Sequence, residues 1–213
     1  MTIAAGYKPR IVTIRFYAYF YPPCIGGGEV ILQHQAEELA RRGHTVHVHT
    51  TPFTNMDGST SVAPGSTFES GVHVHRRASR WINLRNPLEK NAVTPQFYAD
   101  AWLPADLMVC VGFPSLHLDV LAVRKRLLGT PLVVQNYITA DFLDEILAGT
   151  GDTGKRVRSA YWRHVVRRQL AAADVVLADS PAAGKALANR LSLSNVRTHI
   201  GMAVDPGEFF SVT

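Results

Sequence analysis

Short apolar runs alternate with stretches of helical periodicity along almost the whole chain. Residues 10–17, behind Pro9, are apolar and β-branched and predict a first strand. Residues 29–42 put Leu32, Ala36, Leu39 and Ala40 on one helical face, and Gly43 follows where a left-handed residue is easiest. Residues 45–51 alternate Val46 and Val48 with His47 and His49, the period of a second strand. Further strands are predicted at 72–76, 107–111, 132–136, 174–178 and 196–200. The intervening helices are predicted at 95–102, 115–128, 141–147, 155–173 and 181–191. In the long one, Val157, Tyr161, Val165 and Leu170 are expected to face the core; the last opens on Ser180-Pro181. Residues 52–70, rich in Gly, Ser, Thr and Pro, show no period and read as a mobile loop.

Seven apolar strands separated by helices predict an α/β protein, a single Rossmann-like doubly wound parallel sheet of about seven strands with both faces covered. A length of 213 residues fits one such domain, and 46% hydrophobic against 18% charged residues is the balance of a globular core. The two cysteines, Cys24 and Cys110, form no CxxC, which points away from a disulfide framework or zinc site and towards a reducing compartment. The first residues lack the basic head and apolar core of a signal peptide, and no apolar run reaches the length of a membrane span. The expected location is therefore cytoplasmic. A net charge of +5 permits phosphates, nucleic acid or an anionic membrane without choosing among them.

Candidate chemistry concentrates where strand one meets helix one. Gly26, Gly27 and Gly28 precede a helix, so backbone amides free of side-chain bulk stand at its N-terminus, a place that receives anions and most often phosphate. The dinucleotide fingerprint is not met: Ile31 stands at the third glycine position, strand two ends in His49-Thr50-Thr51 without a carboxylate, and residues 18–25 make a long loop instead of a tight turn. The stretch 149–156 nearly matches a P-loop, but Arg156 replaces the magnesium-holding hydroxyl and a helix precedes it, so it reads as a glycine linker. The pairs His47/His49 and His73/His75 raise a metal site, yet no cysteine or carboxylate clusters with them in sequence, and half-buried strand residues are the simpler reading.

The string Tyr21-Pro22-Pro23-Cys24-Ile25-Gly26-Gly27-Gly28, then Ala36-Glu37-Glu38-Leu39-Ala40-Arg41-Arg42-Gly43-His44-Thr45-Val46-His47-Val48, resembles the opening of family-4, GT-B-fold retaining glycosyltransferases. Gly71-Val72-His73-Val74-His75-Arg76 resembles their third strand, Ala173-Asp174-Val175-Val176-Leu177-Ala178-Asp179-Ser180 a later one, and Val204-Asp205-Pro206-Gly207-Glu208-Phe209 the segment leading out of their first domain. The resemblance runs the length of the chain, in the family's order. It implies that residues 1–213 form the N-terminal, acceptor-side half of a GT-B fold, with the nucleotide-sugar-binding C-terminal domain absent from the chain and the chain inactive alone.

The resemblance further implies transfer of a hexosyl unit, with retention, from a UDP- or GDP-sugar held mainly by that other domain to a glycan, lipid or small-molecule acceptor, without a cofactor or metal. Gly26, Gly27, Gly28 and Glu29 would border the donor diphosphate, with Asn136, Tyr137, Ser180 and Met202 as further substrate contacts. His117 and Tyr137 are the candidates for a catalytic role, because no histidine directly follows strand four or five as it does in many members. Met202-Ala203 also stands where Asn-Gly is usual. Two other classes fit the same residues: a non-catalytic sugar- or partner-binding Rossmann-like module, and half of a GT-B-fold sugar-nucleotide epimerase. Arg76, Arg77, Arg80, Arg85 and Lys90 around Trp81, Ile82 and Leu84, with the arginines of the long helix, suggest peripheral contact with the inner face of an anionic membrane. They lack the stacking platform of a nucleic-acid reader.

Overall fold

The computed structural model describes residues 10–82, 91–112, 115–149, 151 and 153–198. In chain order the elements are β1 (Thr13–Ala18), α1 (Gly27–Arg41), β2 (Thr45–Thr50), β3 (Gly65–Glu69), β4 (Val72–Arg76), β5 (Arg80–Ile82), β6 (Asn91–Val93), α2 (Pro95–Asp100), β7 (Leu107–Val111), α3 (Leu116–Leu128), β8 (Leu132–Asn136), α4 (Ala140–Ala148), α5 (Thr153–Tyr161), a π-helical turn (Trp162–Val166), α6 (Arg167–Ala172), β9 (Val175–Ala178), α7 (Pro181–Arg190) and β10 (Val196–Thr198). An eight-stranded sheet runs β10-β9-β8-β7-β1-β2-β4-β3, and β5 and β6 form a separate two-stranded ribbon. All pairings in the large sheet are parallel except the edge pair of β3 with β4.

Strand alternation splits the core in two. Ile14, Phe16, Val46, Val48, Val72 and Val74 face α1, whose Leu32 and Ala36 are fully buried against them. Tyr17, Met108, Cys110, Leu132, Val134 and Val176 face the other way, under Phe97 of α2, Leu118 and Leu121 of α3, Trp162 and Val166 of the π-turn, Leu170 of α6 and Leu187 of α7. Each such large side chain contributes about 2 kcal/mol by leaving water. The chain leaves β1 towards β2 on one side and later adds β7 on the other, so the order reverses at β1. Crevices outside the strand ends at such a reversal are where open α/β sheets bind ligands.

The sheet differs from the sequence expectation at its edge. Residues 65–69 were expected within a mobile loop but form β3, antiparallel to β4. All five residues are exposed, so the strand buries no face and leaves no hydrophobic period to read. Its position comes from the turn: Ser70 and Gly71 have φ of 48° and 82°, the two positive-φ residues of a type I′ hairpin. The long helix also differs. Val157 and Val165, expected in the core, are 48% and 39% exposed, while Trp162, Val166 and Leu170 are buried. Tyr161 and Leu170 pack against the core as expected, and the extra residue of the π-turn shifts the helical repeat after Tyr161, so that Val166 and not Val165 takes the next buried position.

Gly43, with φ of 91°, follows the end of α1 as expected. Gly149, with φ of 59°, ends α4, so the P-loop-like stretch begins at a helix C-terminus and not at a strand. Among the described residues no helix is long and apolar enough to cross a membrane.

Candidate functional site

The loop between β1 and α1 is pinned on both sides. Tyr21 and Cys24 are buried, the Cys24 N–H donates to Tyr21 O at 3.1 Å, and Arg76 Nη2 at the end of β4 donates to Pro22 O at 2.7 Å. Gly26 then caps α1 in extended conformation (φ −170°, ψ 162°) with no side-chain hydrogen bond to the helix. Val30 N–H makes the first intrahelical bond, to Gly26 O. The amides of Gly27, Gly28 and Glu29 are therefore the helix's orphan donors, at the positive end of its dipole.

The three glycines are not equivalent. A Cβ on Gly26 would run into Glu29 Oε2 and Met56 Cε. A Cβ on Gly28 would stand 3.1 Å from Tyr137 Cε2. One on Gly27 would meet nothing within 4 Å among the described residues. Gly27 is thus the open point of the loop, and its neighbours are fixed by what they touch.

Tyr137 comes from the strand-five end of the sequence reading, one residue beyond β8. Asn136 is in register with Ala178, so Tyr137 and Asp179 follow side by side at the ends of β8 and β9, and alternation turns both towards the α1 side. Burial, then the carboxylates of Glu29 and Asp179, push the Tyr137 pKa up, with Gln135 acting the other way. The phenol is neutral at physiological pH. Its buried oxygen and Asp179 Oδ1 lack a well-formed hydrogen bond among the described residues. Two carboxylates and a neutral phenol beside free amides can receive hydroxyl groups on one side and an anion on the other. Asp179 was not singled out in the sequence, where it reads as one more strand-end residue before a helix cap.

The remaining expected residues fall in different places. Ser180 caps α7, its Oγ accepting from Ala183 N at 3.2 Å, at the same edge of the sheet. Asn136 closes β8, and Met202 lies outside the described residues. His117 is only 4% exposed, with its ring 4.1 Å from that of Phe97 and 4.5 Å from that of Tyr19. Burial lowers its pKa to about 3, so it is a neutral packing group. Of the residues named from sequence, the fold brings Gly28 and Tyr137 into contact, with Gly26, Gly27 and Glu29 beside them.

The strand histidines form a stack. His47 and His49 of β2 lie in register with His73 and His75 of β4, with ring centroids 4.8 Å apart for His47–His73 and for His49–His75. His47 Nδ1 is 3.0 Å from His75 Nε2. His49 is buried between Asp100 Oδ2 at 2.9 Å and Arg15 Nη1 at 3.1 Å, and Arg77 Nε donates to the same carboxylate at 2.6 Å. Burial opposes the charged form of Asp100, but the bonds from His49 and Arg77 outweigh it and hold its pKa near 2. Among the described residues no three His, Cys, Asp or Glu side chains converge as a metal shell. The stack joins β1, β2, β4 and α2 as a polar seam in the sheet.

The basic long helix is largely engaged within the fold. Arg163 Nη2 donates to Leu147 O and Arg167 Nε to Leu191 O, both at 2.8 Å, covering carbonyls at the ends of α4 and α7. Arg158 stands 5.3 Å from the ring centre of Phe142. Arg85 and Lys90, expected near an apolar wedge, lie outside the described residues.

The sequence profile of the glycosyl transferase 4-like domain matches residues 26–200. No curated protein matches in sequence. Among solved structures, the Anabaena protein HepE, in complex with UDP and glucose, is 18% identical, with a TM-score of 0.50 over 88% of this chain and 43% of that one. The catalytic domain of starch synthase IV from Arabidopsis thaliana, bound to ADP and acarbose, is 11% identical, with a TM-score of 0.48 over 88% and 51%. A ugt transferase from Siraitia grosvenorii, in complex with UDP, is 13% identical, with a TM-score of 0.46 over 91% and 52%. The chain spans about half the length of the solved proteins it matches.

Proposed function

The chain belongs to the glycosyl transferase 4-like family of GT-B glycosyltransferases, and from that premise we propose that residues 1–213 are the acceptor-side domain of a nucleotide-sugar-dependent hexosyltransferase. The observation that carries this reading is the contact of Tyr137 with Gly28, which joins the end of β8 to the N-terminus of α1 at the reversal of the sheet. Loss of a nucleoside diphosphate develops negative charge on the leaving phosphate. The open amides at Gly27 and Gly28 and the dipole of α1 stabilise such charge without a cofactor. Tyr137 and Asp179, neutral hydroxyl and carboxylate, suit the hydroxyls of a glycan, a lipid-linked sugar or a small polyol.

On this reading the donor, a UDP- or GDP-sugar, is held mainly by a second, C-terminal domain, transfer proceeds with retention, and the 213-residue chain alone is inactive. The protein works in the cytoplasm, and nucleic acid is not a partner. Titration of the isotope-labelled chain with UDP, GDP and simple sugars, followed by amide NMR, tests the site directly. Nucleoside diphosphate should move the Gly27, Gly28 and Glu29 amides, and an acceptor sugar those of Tyr137 and Asp179. Ligand-induced shifts that leave all five unmoved would count against it.

A further inference from the structure

We infer that the cleft between α3 and the π-turn and α6 binds a sugar phosphate, hydroxyls at its Asp119 and Gln169 end and phosphate at its Arg126 and Arg168 end. The π-turn makes the cleft: it buries Trp162 and Val166 and leaves Val165 to line, with Val123 of α3, a space of about 230 Å³. A second space of about 410 Å³ shares Arg126 and Arg168 as walls. Joined, the two are of the size of small-molecule sites, about 300–1,000 Å³. Single π-turns inside helices recur at functional sites.

One end of the cleft holds acceptors short of donors. Gln169 is only 6% exposed. Its Nε2 donates to Asp119 Oδ1 and its amide lies against the Tyr161 phenol, while its Oε1 has no hydrogen-bond partner among the described residues. A buried carbonyl left unpaired costs about 1–3 kcal/mol, so a ligand O–H that reaches it is favoured. Burial raises the Asp119 pKa more than the Gln169 bond lowers it, so this carboxylate also lacks donors.

The other end holds cations without anions. Arg163 and Arg167 of the same helical segment cover carbonyls, and Lys125 is taken by Asp174 at 2.6 Å. Among the described residues Arg126 and Arg168 have neither a hydrogen-bond nor an acidic partner, although both line the same two spaces. Asp119 and Arg126 are seven residues apart on one face of α3, about 10 Å along its axis, so the acceptors and the cations do not neutralise one another. Inorganic phosphate would fill the arginine end alone, and a neutral sugar the acceptor end alone. A sugar phosphate fills both, with the C–H face of its ring on Ala122, Val123 and Val165.

Calorimetric titration of the 213-residue chain with glucose 6-phosphate, mannose 6-phosphate, inorganic phosphate and glucose reads binding without turnover, and so independently of the transferase reading. At least one hexose phosphate should bind about tenfold tighter than phosphate, and glucose should not bind measurably. Gln169→Met should bring that hexose phosphate down to the affinity of phosphate and leave phosphate itself unchanged. Arg126→Gln should weaken both by about tenfold, and Lys185→Gln neither. Thermal melts confirm folding; Arg126 is exposed, so its variant tests the site even where Gln169→Met fails to fold. No saturable binding, equal affinity for phosphate and both hexose phosphates, or binding that survives Arg126→Gln overturns the inference. A folded Gln169→Met that keeps full hexose phosphate affinity also overturns it, leaving an anion site only.

Discussion

Tyr137 rests its ring edge over Gly28, with room for a hydrogen there and little more: an added Cβ would stand 3.1 Å from Cε2. The two residues are far apart in sequence and belong to the ends of different crossovers, yet their contact packs the end of β8 against the N-terminus of α1. It also separates the glycines by role. Gly28 makes room for Tyr137, Gly26 for Glu29 and Met56, and Gly27 faces open space.

Gly27→Phe separates folding from function. A Cβ at this position meets no described atom within 4 Å, and a non-glycine residue costs a helix start little, so the unfolding free energy should stay within about 0.5 kcal/mol of the parent. On the proposed reading, transfer by the complete enzyme should fall by about a hundredfold, because the ring would occupy the space assigned there to the diphosphate. Denaturant melts and nucleoside diphosphate release measure the two halves.

Tyr137→Phe removes a buried hydroxyl that has no well-formed partner among the described residues. Stability should hold or rise by up to about 1 kcal/mol, since an underused polar group leaves the interior. If the hydroxyl contacts acceptor, kcat/KM should fall by about tenfold with the nucleotide affinity unchanged. A stability loss with no kinetic effect would make Tyr137 a packing residue only.

Asp100→Ala should be among the costliest single changes, at about 3 kcal/mol, because it leaves His49 buried and strips Arg77 of its carboxylate. Asp100→Asn keeps the shape and one acceptor and should cost less. Urea midpoints of the two variants decide it.

Acid should loosen the histidine seam. Burial first, then neighbouring cations, lowers His47 and His75 to about 4, below the 6.5 of an unfolded chain. The unfolded chain therefore takes up protons first as pH falls. Stability from these rings is whole above pH 6.5 and drains away between there and pH 4. The variant His47→Gln/His75→Gln should show a flatter dependence of urea midpoint on pH across that window.

Most of the parallel core was legible because its central strands bury apolar residues on at least one face: 72–76, 107–111 and 132–136 were read to the residue. β3 was not, since an exposed edge strand has no buried face; only Ser70-Gly71 hinted at its hairpin. The π-turn was hidden because an inserted residue leaves no mark in the local pattern, and aliphatic Val165 imitates a core position that Trp162 and Val166 take instead. Within the site, the glycine loop was legible from its place between strand and helix. The adjacency of Tyr137 and Asp179 follows from parallel register, which no local pattern records. His117 looked reactive in sequence, but its surroundings are Phe97 and Tyr19, brought over it by other elements.

The most direct test is hexose transfer, read as nucleoside diphosphate release, by the 213-residue chain alone and joined to its donor-holding domain. No turnover alone, transfer when joined, and loss of that transfer in folded Gly27→Phe are the predicted results. Sustained transfer by the chain alone, or transfer that survives Gly27→Phe, would contradict the account.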